Sequence, residues 1–110
     1  MQFSTSTDGG TTVIQCEGRL NMVAAPRLRA LLEETVGAGQ SRVVLDLART
    51  AFVDSSGLGA MIAGLKTARQ AGGDLRIAAA VDQVQTVLGL TNLDRVLRPY
   101  ASVSEANSGW

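Results

Sequence analysis

An acid and two adjacent hydroxyls, Asp54-Ser55-Ser56, stand within the stretch Phe52-Val53-Asp54-Ser55-Ser56-Gly57-Leu58-Gly59, where a strand gives way to a helix. The first N–H groups of a helix have no partner inside it, and the aligned peptide dipoles favour negative charge there. A serine at this junction would therefore carry a phosphoryl group stably. Serine is also a common helix cap, so the competing reading is that Ser55 or Ser56 merely caps the helix.

Other chemistries fail on spacing or composition. Gly57-Leu58-Gly59 begins like a dinucleotide fingerprint, but the third glycine would fall at position 62, which is Ile62. Gly59, Gly64, Lys66 and Thr67 resemble a P-loop with one residue too many, because Leu65 separates the glycine from the lysine. A nucleophile elbow needs glycine two residues before the serine, where Val53 and Asp54 stand. There is no histidine, which removes a Ser-His-Asp triad and the commonest metal ligand. Cys16 is the single cysteine and lies in an alternating run, so it reads as a small buried hydrophobe. No catalytic residue, metal or cofactor is expected.

Those residues need a scaffold, and 110 residues with 45% hydrophobic content suit one domain, 1–110, with a modest core. Ten basic residues balance ten acidic ones, without a Lys/Arg-rich run. The electrostatic footprint of a nucleic-acid binder is missing, as is a basic amphipathic helix for a membrane surface. Met1 to Ser6 lack a charged segment followed by an apolar run, and no apolar stretch approaches bilayer length; the expectation is a cytoplasmic protein with no direct membrane insertion.

Periodicity places the elements. Thr12–Glu17 alternates in part and reads as a strand ending at Gly18, paired with a strand near Phe3 across Asp8-Gly9-Gly10 in an N-terminal hairpin. Leu28, Leu31 and Leu32 recur at helical spacing after Pro26, which predicts a helix over 24–36. Val43-Val44-Leu45-Asp46-Leu47 is a short apolar run of the kind buried on both faces, and is expected to be central, with Asp46 bonded to nearby backbone. Leu75–Ala80 gives another strand. Asp82 is expected to cap a helix carrying Val84, Val87 and Leu88 that ends near Gly89, and Val96-Leu97 to begin a last strand. Asn107–Trp110 is expected to fray. Strands alternating with helices indicate an α/β layer structure whose functional loops follow the carboxyl ends of parallel strands; Asp54-Ser55-Ser56 lies on such a loop.

In the helix expected from Gly57 to about Ala71, Leu58, Met61, Ile62 and Leu65 form the apolar face. A second stripe, Gly57, Ala60, Gly64, Thr67, Ala68 and Ala71, contains almost nothing large. Glycine inside a helix costs about 1 kcal/mol against alanine, so close approach of another surface is implied. The expectation is tight intramolecular packing at the far end, and an opening for a partner near Gly57.

Four segments together, Val43–Leu47, Phe52–Gly59, Gly72-Gly73-Asp74-Leu75 and Val87-Leu88-Gly89-Leu90, resemble a STAS domain, the fold of the bacterial anti-sigma factor antagonists. The resemblance runs from about Thr12 to Ala101. It implies a single STAS-like domain, with a mixed four- to five-stranded sheet, the N-terminal β-hairpin and three to four α-helices. It implies that the serine after the aspartate, Ser55, is phosphorylated by a serine-protein kinase that is also the anti-sigma factor, or is related to it. A phosphoserine phosphatase would reverse the step. The partner surface would comprise Asn21, Asp54, Ser56, Gly57, Leu58, Gly59 and Ala60. Many relatives carry aspartate where this chain has Asn21, which can cap a helix but brings no charge. Two other functions compete: a constitutive STAS subunit of a transporter or signalling scaffold complex, and a small-ligand or nucleotide sensor using the same loop.

Overall fold

A computed structural model describes residues 1–110. Strand β1 (Gln2–Asp8) turns at Gly9-Gly10, both at positive φ, into β2 (Thr11–Leu20), forming the expected antiparallel hairpin. Helix α1 (Ala25–Gly37) leads to β3 (Arg42–Asp46) and β4 (Thr50–Val53), then to α2 (Ser55–Gln70). Next come β5 (Asp74–Ala78), α3 (Asp82–Leu90), a 3-10 turn at Leu93–Arg95, β6 (Pro99–Tyr100) and α4 (Val103–Ala106).

The sheet runs β1-β2-β3-β5-β6, parallel after the hairpin, with β3 at its centre and Val43, Val44 and Leu45 fully buried. Asp46 ends β3 by accepting the Ala48 N–H through Oδ1 at 3.1 Å. The sixth strand, one above the expected range, is β4. It pairs with the second half of β2 where β3 has already ended, across a register shift at Gly18/Arg19. β3 and β4 thus occupy the same edge of β2 in succession. The shift is pinned by the Gly18 N–H on Arg49 O at 3.0 Å and by Thr50 Oγ1 donating to Cys16 O at 2.7 Å.

The large core lies between the sheet and α1, α2 and α3; Leu28, Leu32, Met61, Leu65, Val84 and Leu88 all enter it. Cys16 sits there as the small hydrophobe expected, its thiol pushed up to about 12, first by burial and second by the charge of Asp46. α4 and Trp110 cover the opposite face, over Val44 and Ala78. No helix is long and apolar enough to cross a membrane.

Three local expectations are corrected. Asp82 is the first helical residue of α3, with Val81 as its cap. The strand expected from Val96-Leu97 lies later, at Pro99–Tyr100, because the N–H groups of Val96 and Leu97 are spent on Leu93 O in the 3-10 turn. Residues 107–110, expected to fray, are tied down. Arg76 Nη1 donates to Ala106 O at 3.0 Å and Ser108 O at 2.8 Å, and its guanidinium lies 4.1 Å from the Trp110 ring centroid. Asn107 bonds Asp8 through Nδ2 at 3.1 Å.

Candidate functional site

Two chain segments leave the carboxyl end of the sheet side by side. Leu20 ends β2 and Val53 ends β4 as direct parallel partners, and the Asp54 N–H continues the ladder to Leu20 O at 3.3 Å. Asn21 and Asp54 therefore begin adjacent turns. Each carries a short side chain that bonds its own following backbone, which lets the chain reverse into a helix without orphaned donors. Asn21 Oδ1 accepts the N–H groups of Val23 at 3.1 Å and Ala24 at 3.2 Å, holding the turn before α1.

On the second turn the cap is Asp54. Its backbone is extended, and its Oδ1 accepts the Gly57 N–H at 3.0 Å while its carbonyl accepts Leu58 N–H at 3.0 Å. Neither serine serves as the cap, so that competing reading does not hold. Ser55, exposed, is the first residue of α2, and Ser56, half-buried, is the second. No acidic residue occupies that first turn. Ser55 is therefore exposed at the positive end of a helix of 16 residues, directly after the capping Asp54.

Close packing holds this turn in place. A β-carbon on Gly57 would overlap the Leu20 carbonyl oxygen and crowd the Leu20 side chain at 2.8 Å. Gly57 is thus the contact between α2 and the end of β2, which corrects the expected opening for a partner there. Leu58 and Ala60, also expected to meet a partner, are buried as well, because they face the core beneath the sheet-facing side of α2. The accessible members of the expected set are Asn21, Asp54, Ser56 and Gly59, all half-buried. At the far end the expectation of tight packing holds: a β-carbon on Gly64 would collide with Leu32 of α1 and crowd Leu75 at 3.2 Å.

The fold adds three contributions that periodicity did not expose. Met22 and Val23, 72% and 77% exposed, are large apolar residues on the turn that Asn21 caps, beside the Asp54 turn. Their signal in the sequence is an apolar pair lying outside the Leu28, Leu31, Leu32 face of α1. Gln83, in the first turn of α3, pairs with the outer edge of β4: its Oε1 accepts Val53 N–H at 2.9 Å and its Nε2 donates to Val53 O at 3.1 Å. One amide side chain thereby replaces a missing strand and fixes the residue before Asp54. Finally, an Arg29 guanidinium nitrogen lies 3.3 Å from where a β-carbon on Gly59 would sit. Gly59 is four residues after Ser55, on the same side of α2.

Comparison with known proteins agrees with this architecture. The family model described as "STAS domain" matches residues 2–106. A protein of Thermotoga maritima named "Putative anti-sigma factor antagonist" is 33% identical over 76 residues, spanning 69% of this chain and 67% of that one. The "Anti-sigma F factor antagonist" of Paenibacillus polymyxa is 25% identical over 101 residues, spanning 91% and 86%. A crystal structure of "a putative anti-sigma factor antagonist" from Thermotoga maritima superimposes with a TM-score of 0.88 at 28% identity, covering 94% of this chain and 90% of that one. A hairpin-led mixed sheet, a capped serine pair at the head of α2 and a family match over nearly the whole length lead to one conclusion: this chain belongs to the STAS domain family, among relatives named as anti-sigma factor antagonists.

Proposed function

We propose that this domain is an anti-sigma factor antagonist that binds an anti-sigma factor with serine-kinase activity when Ser55 is unmodified and releases it when Ser55 is phosphorylated, thereby controlling sigma-factor-dependent transcription. In the modification, Ser55 Oγ attacks the γ-phosphorus of ATP held by the kinase, ADP leaves and the hydroxyl proton passes to a kinase base. A phosphoserine phosphatase returns the hydroxyl by hydrolysis. The domain itself contributes the acceptor and no catalytic group.

The observation that carries this reading is the exposed Ser55 at the first position of α2, with capping already supplied by Asp54. A phosphate there adds about −1.5 to −2 charges at neutral pH. Within the free domain, the unpaired first-turn N–H groups and the helix dipole favour that charge, and Arg29 lies within one turn along the same face. A partner seated on Met22, Val23, Asn21 and Ser56 would instead meet a bulky anion beside Asp54 and have to desolvate it. A loss of about 3 kcal/mol suffices for a hundredfold fall in affinity, without a change of fold.

The direct test is incubation with the cognate kinase and ATP, followed by mapping of the phosphate by mass spectrometry. Stoichiometric label on Ser55 is expected, and stoichiometric label elsewhere with Ser55 bare would overturn the assignment. Ser55→Ala is expected to bind the partner constitutively and Ser55→Asp to bind it weakly. A partner held equally by both variants would instead identify a constitutive subunit of a larger complex.

A further inference from the structure

The geometry points to a second working face of this chain, unrelated to Ser55: a two-fold homodimer interface built from the free edge of β1 and the outer stripe of α1. β1 pairs with β2 along all seven of its residues and has no neighbour on its other side. Edges of this kind are ordinarily blunted by lysine, proline or a bulge. β1, reading Gln2-Phe3-Ser4-Thr5-Ser6-Thr7-Asp8, has none of these, and its register is unbroken.

Beside that edge runs an open groove of about 390 Å³, lined by Phe3, Thr5, Arg27, Ala30, Leu31 and Glu34. The four helical residues follow one another at i, i+3, i+4 and i+7 and so form a single stripe. It lies off the Leu28 and Leu32 face that is spent on the core. Its charges are disposed symmetrically: Arg27 precedes the Ala30-Leu31 centre by one turn and Glu34 follows it by one.

That pattern is complementary to itself under a two-fold rotation. An antiparallel second copy brings its Glu34 opposite Arg27 and its Arg27 opposite Glu34, with Ala30 and Leu31 meeting their own counterparts. Thr5 is the middle residue of β1 and lines the same groove, so a single axis serves strand and helix together. β1 pairs with β1 about Thr5, joining the two sheets into one, while the α1 stripes close over the junction. Arg27 is already held for this role: its Nη1 donates to Met1 O at 2.9 Å and its guanidinium lies 5.4 Å from the Phe3 ring centroid. Glu34 is exposed and belongs to none of the ion pairs within the chain.

Sedimentation equilibrium of the full chain from micromolar to millimolar concentration tests this, with circular dichroism confirming that every variant is folded. A monomer–dimer equilibrium is expected for the parent. Arg27→Glu alone and Glu34→Arg alone each set like charges opposite one another at both ends, and are expected to raise the dimer dissociation constant about tenfold or more. The double variant, and an equimolar mixture of the two single variants, restore opposite charges and are expected to recover the dimer. A parent that stays monomeric throughout overturns the proposal, as do single variants that dimerise like the parent or a double variant as weak as either single one.

Discussion

Asp54 and Cys16 show how far one side chain's role follows from its surroundings. The Asp54 carboxylate satisfies the Gly57 N–H, so Asp54→Ala is expected to cost about 1 kcal/mol in urea unfolding, whereas Asp54→Asn keeps the acceptor and is expected to cost little. Partner affinity separates charge from capping, since only the first variant disturbs the turn while both remove the anion. For Cys16, burial raises the thiol to about 12 in the folded state, above the ordinary value of about 8.5 that applies once the chain unfolds. The protonated thiol therefore stabilises the fold fully below about pH 8.5, and that contribution is lost as pH rises toward 12. Alkylation at neutral pH is expected to proceed only at the rate of unfolding; rapid labelling of the native protein would contradict this. The acid and its two hydroxyls were legible from spacing alone. Which of the three caps the helix was not, because aspartate and serine are equivalent cap formers and only the backbone conformation at Asp54 decides between them.

At the scale of elements, glycine placement is the clearest sequence signal with a packing consequence. Gly64→Ala improves helix propensity by about 1 kcal/mol, yet its β-carbon would collide with Leu32, so a net loss of about 1–3 kcal/mol is expected by denaturant unfolding. Gly57→Ala meets the Leu20 carbonyl, a backbone atom with little freedom, and is expected to displace the Asn21 turn and weaken partner binding along with stability. The small stripe announced close approach at both positions; what it could not tell was which surface approaches. The apolar periods located α1, α2 and the central strand β3. They could not separate β3 from β4, since that break depends on β2 changing partners, nor foresee that Gln83 closes the edge of β4 from 30 residues away. Gln83→Leu leaves both Val53 backbone groups without their side-chain partner and is expected to cost about 1–3 kcal/mol.

For the whole molecule, the hairpin, the helix-covered parallel sheet and the tethered C-terminal tail form a frame that places the Asn21 and Asp54 turns side by side at the carboxyl end of the sheet. The carboxyl end of β2 and β4 presents Ser55 as an exposed residue, with Asn21 and the exposed Met22 and Val23 on the adjacent turn. A chain with ten charges of each sign is neutral, so one phosphate changes its overall electrostatics as well as its local surface. The tethering of the tail is not legible from its terminal position, because its anchors, Arg76 and Asp8, are distant in sequence. The most direct measurement is calorimetric titration of the cognate anti-sigma factor with this protein, unmodified and stoichiometrically phosphorylated at Ser55. Saturable binding that weakens about a hundredfold or more on phosphorylation is the expected result; equal affinity of the two forms would contradict a switch at Ser55.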